Sequence, residues 1–219
     1  MTTELADYWG RLEGAVHPDD LALFSRELDH GFNLDFPPPA FIGDVVNAPV
    51  IILDNNGGYD PGMTIAEFPD GQTHSEFRET LARPRPLDRA ARTASRYYLE
   101  RNFSKWLEGG VAALVNSVAY RSVSGRDKAV SRLTRSLPSA QFHQRWLQQI
   151  LRPLAMRGER FVVVHRWSRW NGATDVLRGL PTAIFSSAPI SKDLTAREIS
   201  AVEGFLAERR GLTQDTLLK

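Results

Sequence analysis

The stretch "NAPVIILDNNGGYDPG", residues 47–62, runs from an unbroken apolar segment into a cluster of amides, a carboxylate and glycines. "APVIIL" (48–53) is continuous rather than alternating and too short for a helix, the pattern of a parallel strand covered on both faces. Asp54, Asn55, Asn56, Gly57 and Gly58 follow, residue types that predict a loop at the carboxyl end of that strand. In an open α/β sheet, ligands sit beyond the carboxyl ends of the strands. Reading 48–53 as a buried strand therefore sets the fold class and marks the residues after it as a place to look for function.

Three more runs of the same kind are "VAALVN" (111–116), "RFVVVH" (160–165) and "PTAIFS" (181–186). Helix-length stretches separate them at 86–107, 139–156 and 171–179. A last one, 195–211, has Thr195 as N-cap, Glu198 as its capping-box partner and Gly211 as a stop. Alternating strands and helices predict a parallel sheet with right-handed crossovers. The expectation is one domain over residues 1–219: an α/β fold, three-layer α/β/α around a mostly parallel four-stranded sheet. Residues 1–40, with amphipathic segments at 4–14 and 18–29, would pack on it as a helical part, and "FPPPAFIGD" (36–44) is a stiff lead-in. The phrases after the four strands, "DNNGGYDPG", "NSVAYRSVSGR", "HRWSRWNG" and "SSAPISKD", are all rich in amides, hydroxyls or glycine. They fit one shared site, and Asn suits a nucleobase edge because it donates and accepts at once.

With 219 residues and 42% hydrophobic content the chain can build a real core. It has no cysteine, which removes disulfides, thiolate metal sites and thiol nucleophiles, and its five histidines show no ligand spacing. No metal and no cofactor are expected; the absence of a long apolar run or a signal-like start predicts a soluble, cytoplasmic protein, and a monomer is expected. The net charge of +1 conceals an uneven spread: residues 1–77 carry two basic and fourteen acidic residues, residues 78–137 thirteen and five, and residues 138–219 twelve and seven. Either a basic face meets a polyanion or the acidic and basic parts pair with each other.

In the order and spacing of these phrases over residues 40–210, the chain resembles the uracil-DNA glycosylase superfamily. "DNNGGY" (54–59) stands where the superfamily's first motif follows strand one, "WLEGGVAALVNSVAYRS" is similar to its strand-two segment, and "FVVVHRW" to its third strand. "FSSAPIS" (185–191) stands where the family writes H-P-S-P-L-S. The resemblance implies a monofunctional glycosylase that hydrolyses the N-glycosidic bond of a damaged or modified pyrimidine in DNA and leaves an abasic site. Base-excision repair, or defence against modified phage DNA, would be its setting. It gives Asn56 the role of directing water, with Asp54 and Asp60 as alternatives, and gives Asn116 the edge of the extruded base. Ser186 takes the place of the motif histidine, Pro189 that of the second proline, and Ile190 that of the apolar wedge, with Leu194 in reserve. Gly58 stands where uracil-specific enzymes place a tyrosine, so the pocket would admit C5 substituents; alternatively Gly57 and Gly58 only shape a turn and Tyr59 restores the barrier. Phe68 would stack on the base or belong to the core, and His165 would replace the missing histidine or be a packed core residue, with Trp167 beside it. Ser187, Ser191, Lys192, Arg121, Arg126, Lys128, Arg132 and Arg135 would contact the DNA backbone, and Arg166, Arg169 and Trp170 would line its groove. A catalytically inactive nucleic-acid-binding relative is the alternative from another class. An unrelated nucleotide-binding or hydrolase fold is a third, although the chain has neither G-x-S-x-G nor a P-loop lysine.

Overall fold

The computed structural model describes residues 3–93, 96–123 and 128–217, with side chains of the last helix described through residue 211. The fold is α/β. Five strands, β1 (Phe41–Ile42), β2 (Val50–Gly58), β3 (Ala112–Ser122), β4 (Phe161–Val164) and β5 (Ala183–Phe185), make one mixed sheet in the order β1-β3-β2-β4-β5. The expected parallel quartet is there as β3-β2-β4-β5. The expected count of four is corrected to five, because the Pro-rich lead-in adds β1, antiparallel to β3 with Phe41 opposite Val115 and Ile42 opposite Leu114. Two residues after three prolines carry no period that a sequence pattern could reveal.

Helices α1 (Glu4–Trp9) and α2 (Leu21–Phe24) precede the sheet. α3 (Pro61–Glu67), α4 (Gly71–Ala82), α5 (Arg96–Leu99) and α6 (Ser104–Glu108) lie between β2 and β3, and α7 (Lys128–Thr134), α8 (Pro138–Trp146) and α9 (Arg152–Met156) between β3 and β4. α10 (Ala196–Leu217) closes the chain. A π-helical turn, Leu147–Leu151, joins α8 to α9 and takes up the strain of Pro153, which has no N–H to give and would crowd an α-helical carbonyl. The stretch 86–107 is not one helix. Asn102 instead exchanges hydrogen bonds with Leu194, Nδ2 donating to its carbonyl at 2.8 Å and Oδ1 accepting its N–H at 3.1 Å, a tertiary tie that outbids a helical turn. The capping box of α10 forms as expected: Thr195 N–H donates to Glu198 Oε2 at 2.7 Å and Glu198 N–H to Thr195 Oγ1 at 3.4 Å. Gly211 does not stop this helix, since one glycine without a left-handed cap costs only about 1 kcal/mol.

Val50–Leu53, Ala112–Val115 and Phe161–Val164 are buried and form the centre of the core. The expected loop at 54–59 is a further correction. Asp54 to Gly58 continue β2, with Asp54 opposite Asn116, Asn56 opposite Val118 and, past a bulge, Gly58 opposite Ser122. β4 ends opposite Leu53. The carboxyl end of the sheet is therefore stepped, two long strands beside two short ones. The chain also leaves β2 toward β3 on one side while β4 lies on the other, and such a reversal of strand order is where α/β sheets open a crevice.

Candidate functional site

The step in the sheet forms an open groove of about 670 Å³. One wall is the overrun of the long strands: Asn55, Asn56, Gly58, Ser122 and Val123. The other comes from the segments after the short strands, with Arg166, Ser168 and Arg169 following β4, and Pro189, Ile190 and Lys192 following β5; Tyr97 closes one end. Gly58, Tyr97 and Val123 also line a second, smaller recess of about 120 Å³, completed by Tyr59, Asp60, Met63, Thr64, Glu67, Tyr98 and Arg121. The groove and the recess thus share a mouth.

Asn56 is held at the groove wall by both amide protons, Nδ2 donating to Ser122 Oγ at 2.9 Å and to the Gly57 carbonyl at 2.8 Å. These partners orient the amide and leave Oδ1 as its acceptor for a ligand. Asn55 ties the two walls together, its Nδ2 donating to Ser168 Oγ at 2.9 Å and its Oδ1 accepting the Arg169 N–H at 3.1 Å. Asp54 is 5% exposed, lies 3.5 Å from the Arg166 guanidinium and accepts the Asn55 N–H. Asp60 caps α3, accepting the Met63 N–H at 2.9 Å, so its carboxylate serves a helix end. The two adjacent glycines differ. A Cβ on Gly57 would lie 2.4 Å from Pro39 Cγ, whereas one on Gly58 meets nothing within 4 Å, and neither needs a positive φ. The turn reading of this pair falls away with the loop: Gly57 is there for a close approach, and Gly58 leaves open space at the shared mouth.

The segment after β5 presents Ile190 at 88% exposure, while Leu194 is buried in the core. Two donors fix it from below: His165 Nε2 at 3.1 Å and Arg166 Nη2 at 2.7 Å both reach the Ser191 carbonyl. A carbonyl only accepts, so His165 carries its proton on Nε2. Burial, the largest influence on it, pushes its pKa below the ordinary histidine value. His165 is fully buried and Trp167 packs against the core, so neither reaches the groove lining. Ser186 is buried with its Oγ accepting the Ala188 N–H at 3.1 Å; Ser187 and Lys192 are exposed, and Ser191 Oγ donates to the Asp193 carbonyl.

Three expected site residues lie elsewhere. Asn116 is 1% exposed and spends its amide on the Pro39 carbonyl at 2.6 Å, so it does not face the groove. Phe68 is a core residue, edge-on to Phe77. Arg121, expected on an exposed basic face, is 4% exposed and lines the recess instead, because the β3 overrun carries it inward. Arg126 lies outside the described residues. Lys128, Arg132 and Arg135 line a separate shallow depression on α7. Arg132 pairs with Glu27 at 2.9 Å, and Asp70 with Arg92 at 3.4 Å, so the acidic N-terminal part does neutralise some of the later basic residues. Tyr97, Tyr98, Glu67 and Ser122 line the site without having been expected there. For the two tyrosines the signal was local: neighbours on one helix point about 100° apart, so one of the pair had to leave the core face.

Among the described residues, no group of three or more His, Asp or Glu is placed to hold a metal ion, and no helix is long and apolar enough to cross a membrane. No family model, no curated protein and no solved structure matches this chain.

Proposed function

We propose that the chain is a monomeric DNA glycosylase that hydrolyses the N-glycosidic bond of a damaged or C5-substituted pyrimidine and leaves an abasic site. The observation that carries this reading is the two-level site: a recess of single-ring size opening through Gly58, Tyr97 and Val123 into a wide groove. Enzymes acting on a base within a duplex extrude it into a pocket and fill the gap it leaves. Ile190, exposed and held by its anchored segment, is the side chain that fills the gap, and the exposed Lys192 flanks the groove as a phosphate contact. Cleavage builds positive charge on the sugar and negative charge on the departing base. The Asn56 carbonyl places water against the sugar, and since an amide is no strong base, attack comes late on a nearly formed oxocarbenium ion. The open position at Gly58 lets a C5 substituent pass from the recess into the groove. The base excised decides whether repair or defence against modified phage DNA is the setting.

A second reading has its own support. Asn116 and Ser186, to which the resemblance assigns chemistry, both spend their side chains on backbone partners, which favours a nucleic-acid-binding protein without turnover. Purified protein in EDTA is mixed with DNAs carrying uracil, hydroxymethyluracil, hydroxymethylcytosine or its glucosylated form, and free base is measured by mass spectrometry. Release of a C5-substituted base is expected. Uracil alone would remove the wide pocket but keep the glycosylase, and DNA binding with no release from any substrate would establish the second reading.

A further inference from the structure

We propose that Arg121 and Glu67 read the edge of a single-ring heterocycle held in the recess, taking the place that the resemblance gives to Asn116. This rests on the recess being the base pocket of the proposed glycosylase, but the contact itself does not depend on hydrolysis. Arg121 is 4% exposed, yet its five N–H donors are poorly served. Nη1 reaches the Gly58 carbonyl at a long 3.3 Å, Nη2 stands 3.8 Å from Glu67 Oε2, and Nε has no hydrogen-bond partner. The guanidinium also lies 5.3 Å over the Phe68 ring, which supports its position without satisfying a donor. A buried cation this short of partners is costly unless something supplies acceptors. The recess that Arg121 lines is the place from which they can come.

The chemistry of the lining narrows the ligand. Glu67 stands beside Arg121 and Asp60 lines the same recess, so a phosphate or carboxylate there would meet acidic groups. A neutral ring with carbonyl oxygens facing the guanidinium and an N–H or amino group facing Glu67 matches both charges. A volume of about 120 Å³ is small beside the roughly 300 Å³ and more of an ordinary small-molecule pocket, which favours one six-membered ring over two fused ones. Tyr59, Tyr97 and Tyr98 give a planar ligand aromatic neighbours.

The test titrates intact protein with free uracil, hydroxymethyluracil, cytosine and hydroxymethylcytosine, with hypoxanthine as a two-ring control and with inorganic phosphate, following ligand signals by NMR. At least one free pyrimidine is expected to bind. Arg121→Lys, which keeps the charge but loses the planar fork, should weaken it at least about tenfold. Gly58→Tyr, made where the backbone has room, should abolish it without lowering the melting temperature. Glu67→Gln should shift the preference among the pyrimidines, a change that general unfolding would not produce. No pyrimidine binding, binding indifferent to Arg121→Lys and Gly58→Tyr, or displacement of the pyrimidine by phosphate would each overturn the proposal. Pyrimidine binding that follows Arg121 while no base leaves DNA would uphold this contact and remove the hydrolase.

Discussion

Two buried polar groups on the same strand, Asn116 and Arg121, live in opposite circumstances. Around Asn116 every polar group is met at short range. Trp9 Nε1 donates to His143 Nε2 at 2.7 Å, His143 Nδ1 donates to the Asn116 carbonyl at 2.6 Å, and Asn116 gives its amide to Pro39 and its backbone N–H to Ala40. The indole is only a donor, which settles the imidazole tautomer and makes the series a relay from α1 through α8 to the central sheet. A neighbouring network ties down the N-terminal part: Tyr120 donates to Asp20 at 2.5 Å, and the Ser139 N–H to the same carboxylate at 3.0 Å. Around Arg121 the distances are long and one donor has no partner. A saturated network holds the fold, whereas an undersupplied one, beside a cavity, is built for something that arrives later.

The sharpest way to break this division is to cut at each side. Asn56→Ala, on the groove side, should lower base release by at least about 100-fold while the unfolding midpoint stays near wild type, because the lost contacts are at a half-buried wall. Full activity in that variant would pass the water to Asp54. On the saturated side, His143→Ala should cost about 3 kcal/mol in denaturant unfolding, leaving the Trp9 N–H and the Asn116 carbonyl unmet, yet pyrimidine binding by the folded fraction should persist.

Acid should probe the same imidazole more gently. Burial, set against the hydrogen bond to Asn116, lowers the His143 pKa to about 4. Between that value and the ordinary 6.5 the unfolded chain binds the proton and the folded one does not, so stability falls as pH drops through this window. From pH 6.5 to 5 the loss from this residue should lie between about 1 and 2 kcal/mol. His17 and His165, also lowered mainly by burial, act in the same direction. Asp20, raised by burial, opposes them, since its folded form takes up a proton more readily than the unfolded chain. The slope should flatten in His143→Gln, and an unchanged slope would show that the relay is not what acid breaks. The smallest contrast is between neighbours: Gly57→Ala should cost about 1 to 2 kcal/mol by driving a methyl into Pro39, and Gly58→Ala should stay within about 0.5 kcal/mol.

What could be read in advance follows from where the physics is local. Four strands were visible as apolar runs, three of them because burial on both faces leaves no alternation to confuse, and the Thr195–Glu198 capping box because its partners are three residues apart. The overrun of β2 was not visible. Asn, Asn, Gly, Gly has the composition of a turn, and only the all-buried β3 beside it makes these residues a strand. The groove could be anticipated from four polar strand ends, yet which asparagine faces it could not, because Asn56 and Asn116 differ only in tertiary partners. Arg121 was misread for the same reason: a charge in sequence carries no sign of which side of a strand it will take.

Among the described residues, Asp54 to Gly58 pair with β3 alone, so the edge facing away from β3 offers unpaired backbone to any other strand that approaches. The chain closes it with side chains: the Trp170 indole takes the Asp54 carbonyl, Asn55 clasps Ser168 and Arg169, and Asn56 covers the Gly57 carbonyl. Asn55 is in this sense a counterfeit strand one residue long, an acceptor for the Arg169 N–H where a neighbouring strand would have offered a carbonyl.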